Sequence, residues 1–116
     1  RALEYAKKSG ASIVLTYDPK VGAKDADFVY TDVWASMGQE AEVEQRKQIF
    51  RPYQLNRDLM AQAKPGAKVL HCLPAHRGEE ISAEVLDGPQ SIVLDQAENR
   101  LHAQRALLAV LLARGA

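Results

Sequence analysis

Lys68-Val69-Leu70-His71-Cys72-Leu73-Pro74-Ala75-His76-Arg77-Gly78 is the most informative stretch of the sequence, because it contains both a predicted strand and the loop that leaves it. The apolar residues of 68–72 predict a strand, and the proline and glycine that follow predict a loop at its carboxyl end. On the amino side, Asn56 is typical of the N-cap of a short helix through Ala63, which Pro65-Gly66 ends.

Strands and helices alternate in both directions from this run. Ser82 is expected to cap a short helix that Asp87-Gly88-Pro89 ends. Asp95 and Glu98 form a capping-box-like pair at the start of a last helix, which is expected to reach about Ala113. A first helix is predicted over residues 2–9 with Gly10 as its stop, and three further strands over residues 12–17, 27–31 and 91–94.

Continuous apolar strands between helices indicate an α/β fold, a Rossmann-like parallel sheet with helices on both faces. Ligands of such sheets bind beyond the carboxyl ends of the strands. The loops expected there are residues 31–38, 72–78 and 95–100, and each of them contains unusual polar residues. These three loops are therefore the place to look for a functional site.

Composition excludes several classes of protein. The chain of 116 residues is one domain's worth, with 15 Lys and Arg balanced by 15 Asp and Glu, so the basic surface of a nucleic-acid binder is missing. No apolar run is long enough for a membrane span, and no signal peptide opens the chain. Cys72 is the single cysteine, which excludes an intrachain disulfide and makes the cytoplasm the simplest location. A chain that opens at Arg1 rather than at methionine is expected to be a piece of something longer.

The first loop contains a carboxylate, a hydroxyl and a glycine. Asp32 is suited to accept hydrogen bonds from a ligand ammonium, Ser36 to add a neutral partner, and Gly38 to let the backbone move. The alternative is a helix-capping aspartate beside a Trp34 that packs on the core. The polar residues 39–48 that follow are expected to form a solvated segment, either helix or loop.

The second loop begins with an imidazole next to a thiol. Neighbours on a strand project to opposite faces, so His71 and Cys72 are not expected to act as a catalytic Cys-His pair. A buried cysteine is usually an inert small hydrophobe, and a histidine at a strand end is often only hydrogen-bonded. A metal site of His71, Cys72 and His76 lacks the usual ligand spacing, so no metal is expected.

The third loop opens the last helix. A helix N-terminus beside Arg100 would suit an anion such as phosphate. The alternative is that Arg100 pairs with Glu98 or Asp95 on the surface. Taken one at a time, the three loops leave the function open.

Taken together, the loops resemble one family. Asp32-Val33-Trp34-Ala35-Ser36-Met37-Gly38, His71-Cys72-Leu73-Pro74 and Glu98-Asn99-Arg100-Leu101-His102 are similar, in order and spacing, to the second-half motifs of the ornithine carbamoyltransferases. The resemblance, within the aspartate/ornithine carbamoyltransferase family, covers essentially the whole chain. It is specific, because aspartate carbamoyltransferases lack the Ser-Met-Gly loop and the cysteine of the second motif, and putrescine-type relatives differ at Ser-Met-Gly.

The resemblance implies transfer of a carbamoyl group from carbamoyl phosphate to the side-chain amine of L-ornithine, without a cofactor. By the family pattern, Asp32, Ser36 and Met37 hold the amino-acid end of ornithine, and Cys72 lies next to it. Leu73 offers a backbone carbonyl to the carbamoyl amine, His71 lies near the carbamoyl oxygen, and Arg100 contacts carbamoyl phosphate. Asp32, Cys72 and Arg100 are the candidate catalytic residues. Cys72 is not expected to be a covalent nucleophile, because no activating group lies near it in sequence.

The resemblance also implies that parts are missing. Residues 1–116 match an ornithine-binding C-terminal domain that lacks its first strands, and the N-terminal carbamoyl phosphate domain is absent. The family forms trimers with active sites between subunits, so a homo-oligomer is expected for the longer enzyme and an inactive chain for this part alone. Two other interpretations remain: a non-catalytic amino-acid-binding or regulatory module, and a structural α/β domain with incidental loop residues.

Overall fold

The computed structural model describes residues 1–35 and 43–113. Their elements follow in the order α1 (Ala2–Ser9), α2 (Pro19–Ala23), β1 (Phe28–Thr31), α3 (Val43–Phe50), a 3₁₀ turn (Arg51–Tyr53), α4 (Arg57–Met60), β2 (Lys68–His71), α5 (Ala83–Leu86) and α6 (Val93–Ala113). None of the helices in these two ranges is long and apolar enough to cross a membrane.

The sheet is parallel, as predicted, but small. β1 pairs with β2 in a register that places Phe28 opposite Lys68 and Thr31 opposite His71. On its other side β2 is flanked by a single bridge between Val69 and Ser91. The predicted strand over residues 91–94 is therefore wrong beyond that bridge, because α6 already begins at Val93.

The predicted strand over residues 12–17 is also wrong. This segment has no regular structure, and Val14, Leu15 and Tyr17 are 76%, 84% and 94% exposed. A strand needs a neighbouring strand to satisfy its backbone, and this segment pairs with none in the part of the chain that the structure describes. Its apolar, β-branched composition is therefore not sufficient to form a strand.

Helix ends lie where the sequence predicts them when a capping residue or a glycine stop is present. Gly10 ends α1 in a left-handed conformation, with φ of 77°. The Asn56 side chain accepts a hydrogen bond from the Leu59 amide and caps α4, although the helix ends at Met60, three residues before the predicted end. Ser82 precedes α5 as predicted but makes no capping hydrogen bond.

Two predicted boundaries differ from the structure. α6 begins at Val93, so Asp95 and Glu98 lie inside the helix and do not form a capping box at its start. In the polar segment 39–48, the residues from Val43 onward belong to α3, while residues 39–42 lie outside the described part of the chain.

The core surrounds β2. Val69 is fully buried, and the side chains that form one cluster with it are Leu55, Met60, Ala67, Ile81, Val85, Leu86 and Val93. The Leu55 amide donates to the Glu80 carbonyl, and the Leu55 carbonyl accepts from the Ser82 amide, so the segment before α4 is tied to the segment before α5. This packing holds β2 and the loop after it in place.

Candidate substrate site at the carboxyl ends of the strands

The parallel register brings the first two predicted loops together. Because Thr31 lies opposite His71, the residues that follow, Asp32 and Cys72, leave the sheet at the same edge. The Cys72 thiol donates a hydrogen bond to Asp32 Oδ1 at 2.9 Å. The same oxygen accepts from the Val33 amide at 2.7 Å. Asp32 and Cys72 are both exposed, so this pair is open to a ligand.

The thiol and the carboxylate shift each other's pKa in opposite directions. The hydrogen bonds from Cys72 and then from the Val33 amide lower the pKa of Asp32. The hydrogen bond to Asp32, and then desolvation, raise the pKa of Cys72. Desolvation and the nearby thiol also raise the pKa of Tyr30. At neutral pH the site therefore presents an ionised Asp32 beside a protonated Cys72, and a protonated thiol is a poor nucleophile.

His71 is buried, with 1% of its surface exposed, and its hydrogen bonds assign its tautomer. The Leu73 amide donates to Nδ1 at 2.8 Å, so Nδ1 carries a lone pair and the proton is on Nε2. Nε2 then donates to Glu80 Oε1 at 3.0 Å. Both ring nitrogens are thus engaged within the protein, and His71 holds the loop that carries Cys72 and Leu73.

Sequence reasoning missed Glu80. Its side chain is fully buried, and Oε1 accepts from both the His71 ring and the His76 amide, the latter at 2.6 Å. One carboxylate oxygen therefore connects the beginning and the end of the 71–76 turn, in which Leu73 has a positive φ of 55°. No signal in the sequence distinguishes Glu80 from Glu79, because the two are identical neighbours after Gly78 in a charged stretch.

Arg100 does not lie in a loop or at a helix N-terminus, because residues 95–100 are already part of α6. Gln96, one turn earlier on the same face, accepts a hydrogen bond from the His71 backbone amide and ties this face to the end of β2. Arg100 is exposed and forms no ion pair with Glu98 or Asp95, so the surface-pair alternative is wrong. Glu98 lies instead beside His102, with 3.6 Å between Glu98 Oε1 and His102 Nε2.

The rest of the first loop is described only in part. Ser36 and Met37, with Gly38, lie outside the described residues. Trp34 is half-buried and stacks on Phe50 with 6.4 Å between ring centroids. The loop that starts at Asp32 is therefore anchored on the end of α3, and Asp32 itself caps no helix in the described ranges.

Comparisons with known proteins all find carbamoyltransferases. Residues 1–111 match the family described as "Aspartate/ornithine carbamoyltransferase, Asp/Orn binding domain". The ornithine carbamoyltransferase of Pyrococcus abyssi is 60% identical over 111 residues, which are 96% of this chain and 35% of that protein. The chain thus spans about a third of the length of the curated relatives it matches.

Solved structures agree with the sequence comparison. The ornithine carbamoyltransferase from Pyrococcus furiosus superposes with a TM-score of 0.86 at 61% identity, over 91% of this chain and 34% of that one. The anabolic ornithine carbamoyltransferase from Campylobacter jejuni reaches a TM-score of 0.91 at 39% identity, over 97% of this chain and 37% of that one.

Proposed function

The chain belongs to the aspartate/ornithine carbamoyltransferase family, and from this membership we propose that it is the ornithine-binding part of an ornithine carbamoyltransferase. In this reaction the side-chain nitrogen of L-ornithine attacks the carbonyl carbon of carbamoyl phosphate. A C–N bond forms, the C–O bond to phosphate breaks, and the amine loses a proton, which gives L-citrulline and phosphate. The observation that carries the proposal is the Asp32–Cys72 pair at the shared edge of β1 and β2.

The charges of this pair suit an amino acid with two ammonium groups. The ionised Asp32 provides an acceptor for the amino-acid end of ornithine, with Ser36 and Met37 as its proposed partners. The protonated Cys72 lies beside it without a second negative charge, because its pKa is raised by the hydrogen bond to Asp32. A carboxylate whose pKa is lowered is a weak base, so the pair supports positioning of ornithine rather than storage of its proton.

The attacking amine must be neutral, since an ammonium has no lone pair. An alkyl amine of this kind has a pKa of about 10.4 in water, and a closed, water-poor pocket lowers the cost of the neutral form. Correct placement of the two substrates contributes much of the rate enhancement. We assign this placement to the 71–76 turn, with the Leu73 carbonyl directed at the carbamoyl amine.

Arg100 is the proposed partner of carbamoyl phosphate on this chain. A guanidinium stabilises the charge that develops on the carbonyl oxygen and on the departing phosphate. The Arg100 side chain is exposed and forms no hydrogen bond or ion pair with the described residues, so it is available to an anion. The contact of His71 with the carbamoyl oxygen stays a prediction, and the burial of its ring supports a positioning role.

The rest of the enzyme belongs to the same proposal. A further N-terminal domain would bind carbamoyl phosphate through a Ser-x-Arg-Thr-Arg motif, and residues 1–116 would form most of the second domain. We also infer a trimer-based homo-oligomer and a cytoplasmic location from the family resemblance and from the single cysteine. No cofactor enters the reaction as written.

The test uses the longest natural polypeptide that contains this sequence. Citrulline formation is measured with ornithine and carbamoyl phosphate, with aspartate, putrescine and N-acetylornithine as competing acceptors. Ornithine is expected to be the preferred acceptor. Ornithine binding without any citrulline would instead favour a regulatory amino-acid-binding module, and preference for another acceptor would contradict the proposal.

Two variants separate the residue roles. Cys72→Ala is expected to raise KM for ornithine more than KM for carbamoyl phosphate, and Arg100→Gln is expected to do the reverse. Arg105→Gln, an exposed arginine on the same helix, is the matched control and should change neither constant. An Arg100→Gln enzyme with an unchanged KM for carbamoyl phosphate would overturn the role of Arg100.

A further inference from the structure

A second cluster of polar side chains lies at the far end of the 71–76 turn. Suitable donor atoms of His76, Glu79 and Glu80 lie within 4.8 Å of one another. His76 and Glu79 are partly open to solvent, with 52% and 34% of their side chains exposed, whereas Glu80 has none. The three residues therefore form a shallow site with a buried floor.

The second carboxylate oxygen of Glu80, Oε2, favours the binding of a cation at this cluster. Glu80 Oε1 accepts two hydrogen bonds, but the buried Oε2 accepts none. A buried carboxylate oxygen without a partner is costly, and a group of this kind in a folded protein needs an explanation. Oε2 lies 3.7 Å from His76 Nδ1, which is too long for a hydrogen bond and leaves space for an ion between the two atoms.

The donor set indicates which ion. One imidazole nitrogen with two carboxylate oxygens is a set that Zn²⁺ accepts, and a fourth position on the exposed side is open to water. Ca²⁺ and Mg²⁺ prefer sites built from oxygen alone. We propose that His76, Glu79 and Glu80 form a Zn²⁺ site. The spacing of His71, Cys72 and His76 predicted no metal, and the proposed site instead groups His76 with the two glutamates that follow it.

Lys47 competes with the metal. Its ammonium on α3 contacts Glu79 Oε1 at 2.8 Å, and this hydrogen bond raises the pKa of Lys47. A cation bound to Glu79 must share or displace this ammonium. Removal of the lysine charge should therefore strengthen Zn²⁺ binding.

The experiment is equilibrium dialysis of Zn²⁺ against the longest natural polypeptide that contains this sequence, after treatment with a chelator. His76→Ala and Glu79→Gln are each expected to weaken Zn²⁺ binding roughly 10-fold or more. Lys47→Gln should strengthen it several-fold. The matched controls are His102→Ala, which removes another half-exposed histidine beside a glutamate, and Cys72→Ser, which removes the thiol; both should leave binding unchanged.

Cobalt provides a second measurement, which reports the ligand atoms directly. Co²⁺ at this site should give a visible absorption spectrum without a thiolate charge-transfer band, and His76→Ala should abolish that spectrum while far-UV circular dichroism stays the same. A Zn²⁺ affinity that survives both His76→Ala and Glu79→Gln would overturn the proposal. Loss of binding on Cys72→Ser, or a thiolate band with Co²⁺, would move the metal to Cys72 and overturn it equally.

Discussion

For single residues, the central feature of the candidate site is a thiol that donates a hydrogen bond to an ionised carboxylate. In the role proposed for it, Asp32 must be ionised to hold an ammonium, and a neutral Cys72 leaves Asp32 as the single negative charge of the pair. The structure favours an ionised Asp32 and a protonated Cys72 at neutral pH, because the hydrogen bond between them lowers the pKa of Asp32 and raises the pKa of Cys72. Below its raised pKa Cys72 is a thiol, and its thiolate fraction grows only as the pH rises through that value.

Asp32→Asn should therefore make Cys72 more reactive at neutral pH. Without the carboxylate charge the pKa of Cys72 falls toward its ordinary range, and the thiolate fraction increases by roughly 10-fold for each unit of the fall. The measurement is the rate of iodoacetamide labelling of Cys72 against pH, followed by peptide mass spectrometry. Asp27→Asn at the opposite end of β1, where the carboxylate contacts Lys64, is the control. An unchanged profile in Asp32→Asn would show that the pair is not coupled.

The sequence predicts the Asp32 and Cys72 positions of the candidate site but not its buried glutamate. Asp32 and Cys72 each follow a predicted strand, and the structure pairs their side chains, whereas the role of Arg100 stays a prediction. Glu80 was not predicted, because the sequence places two adjacent glutamates after Gly78 and only the packing buries one of them. Burial depends on contacts from distant segments such as Leu55, whose amide bonds to the Glu80 carbonyl, and local sequence does not encode these contacts.

At the scale of elements, helices were predicted better than strands. A helix end depends on a few neighbouring residues, so Gly10 and Asn56 were sufficient to locate two of them. A strand depends on a partner, and the apolar residues 12–17 have none among the described residues. The same reason explains residues 91–94, where one bridge to Val69 forms before α6 begins.

The two predicted caps provide a matched comparison. Asn56→Ala removes a capping hydrogen bond and should lower the free energy of opening α4 by about 1 kcal/mol. Ser82→Ala removes a buried hydroxyl that has no partner, so α5 should be unaffected or slightly more stable. Amide hydrogen exchange at Met60 and Ala61 reports α4, and exchange at Leu86 and Asp87 reports α5. Equal losses in the two variants would contradict the distinction between a bonded and an unbonded cap.

At the scale of the whole molecule, the chain exposes more surface than a folded monomer of its mass. Its accessible surface is 9099 Å², against about 6,300 Å² expected for 12.8 kDa. Its radius of gyration is 17.2 Å, against about 13 Å for a compact domain of this length. Much of the excess is apolar, on residues 12–17 and along α6 from Leu101 onward, where Leu101, Leu108 and Leu112 are more than half exposed.

These surfaces predict a pattern of hydrogen exchange that differs between the 116-residue chain and the longest natural polypeptide that contains it. In the 116-residue chain, amides of residues 12–17 and 101–113 should exchange fast, because an unpaired segment and a helix without packing partners are marginal in water. Amides of β2, beside the fully buried Val69, should be protected in both.

In the longer polypeptide the same two apolar surfaces should become protected, since the additional residues of the proposed enzyme would cover them. Citrulline formation should appear only in that form. Strong protection of residues 101–113 in the 116-residue chain would show that α6 needs no further partner. Unchanged fast exchange in the longer polypeptide would show that its additional residues do not pack here, and the proposal of one enzyme built from both parts would then fail.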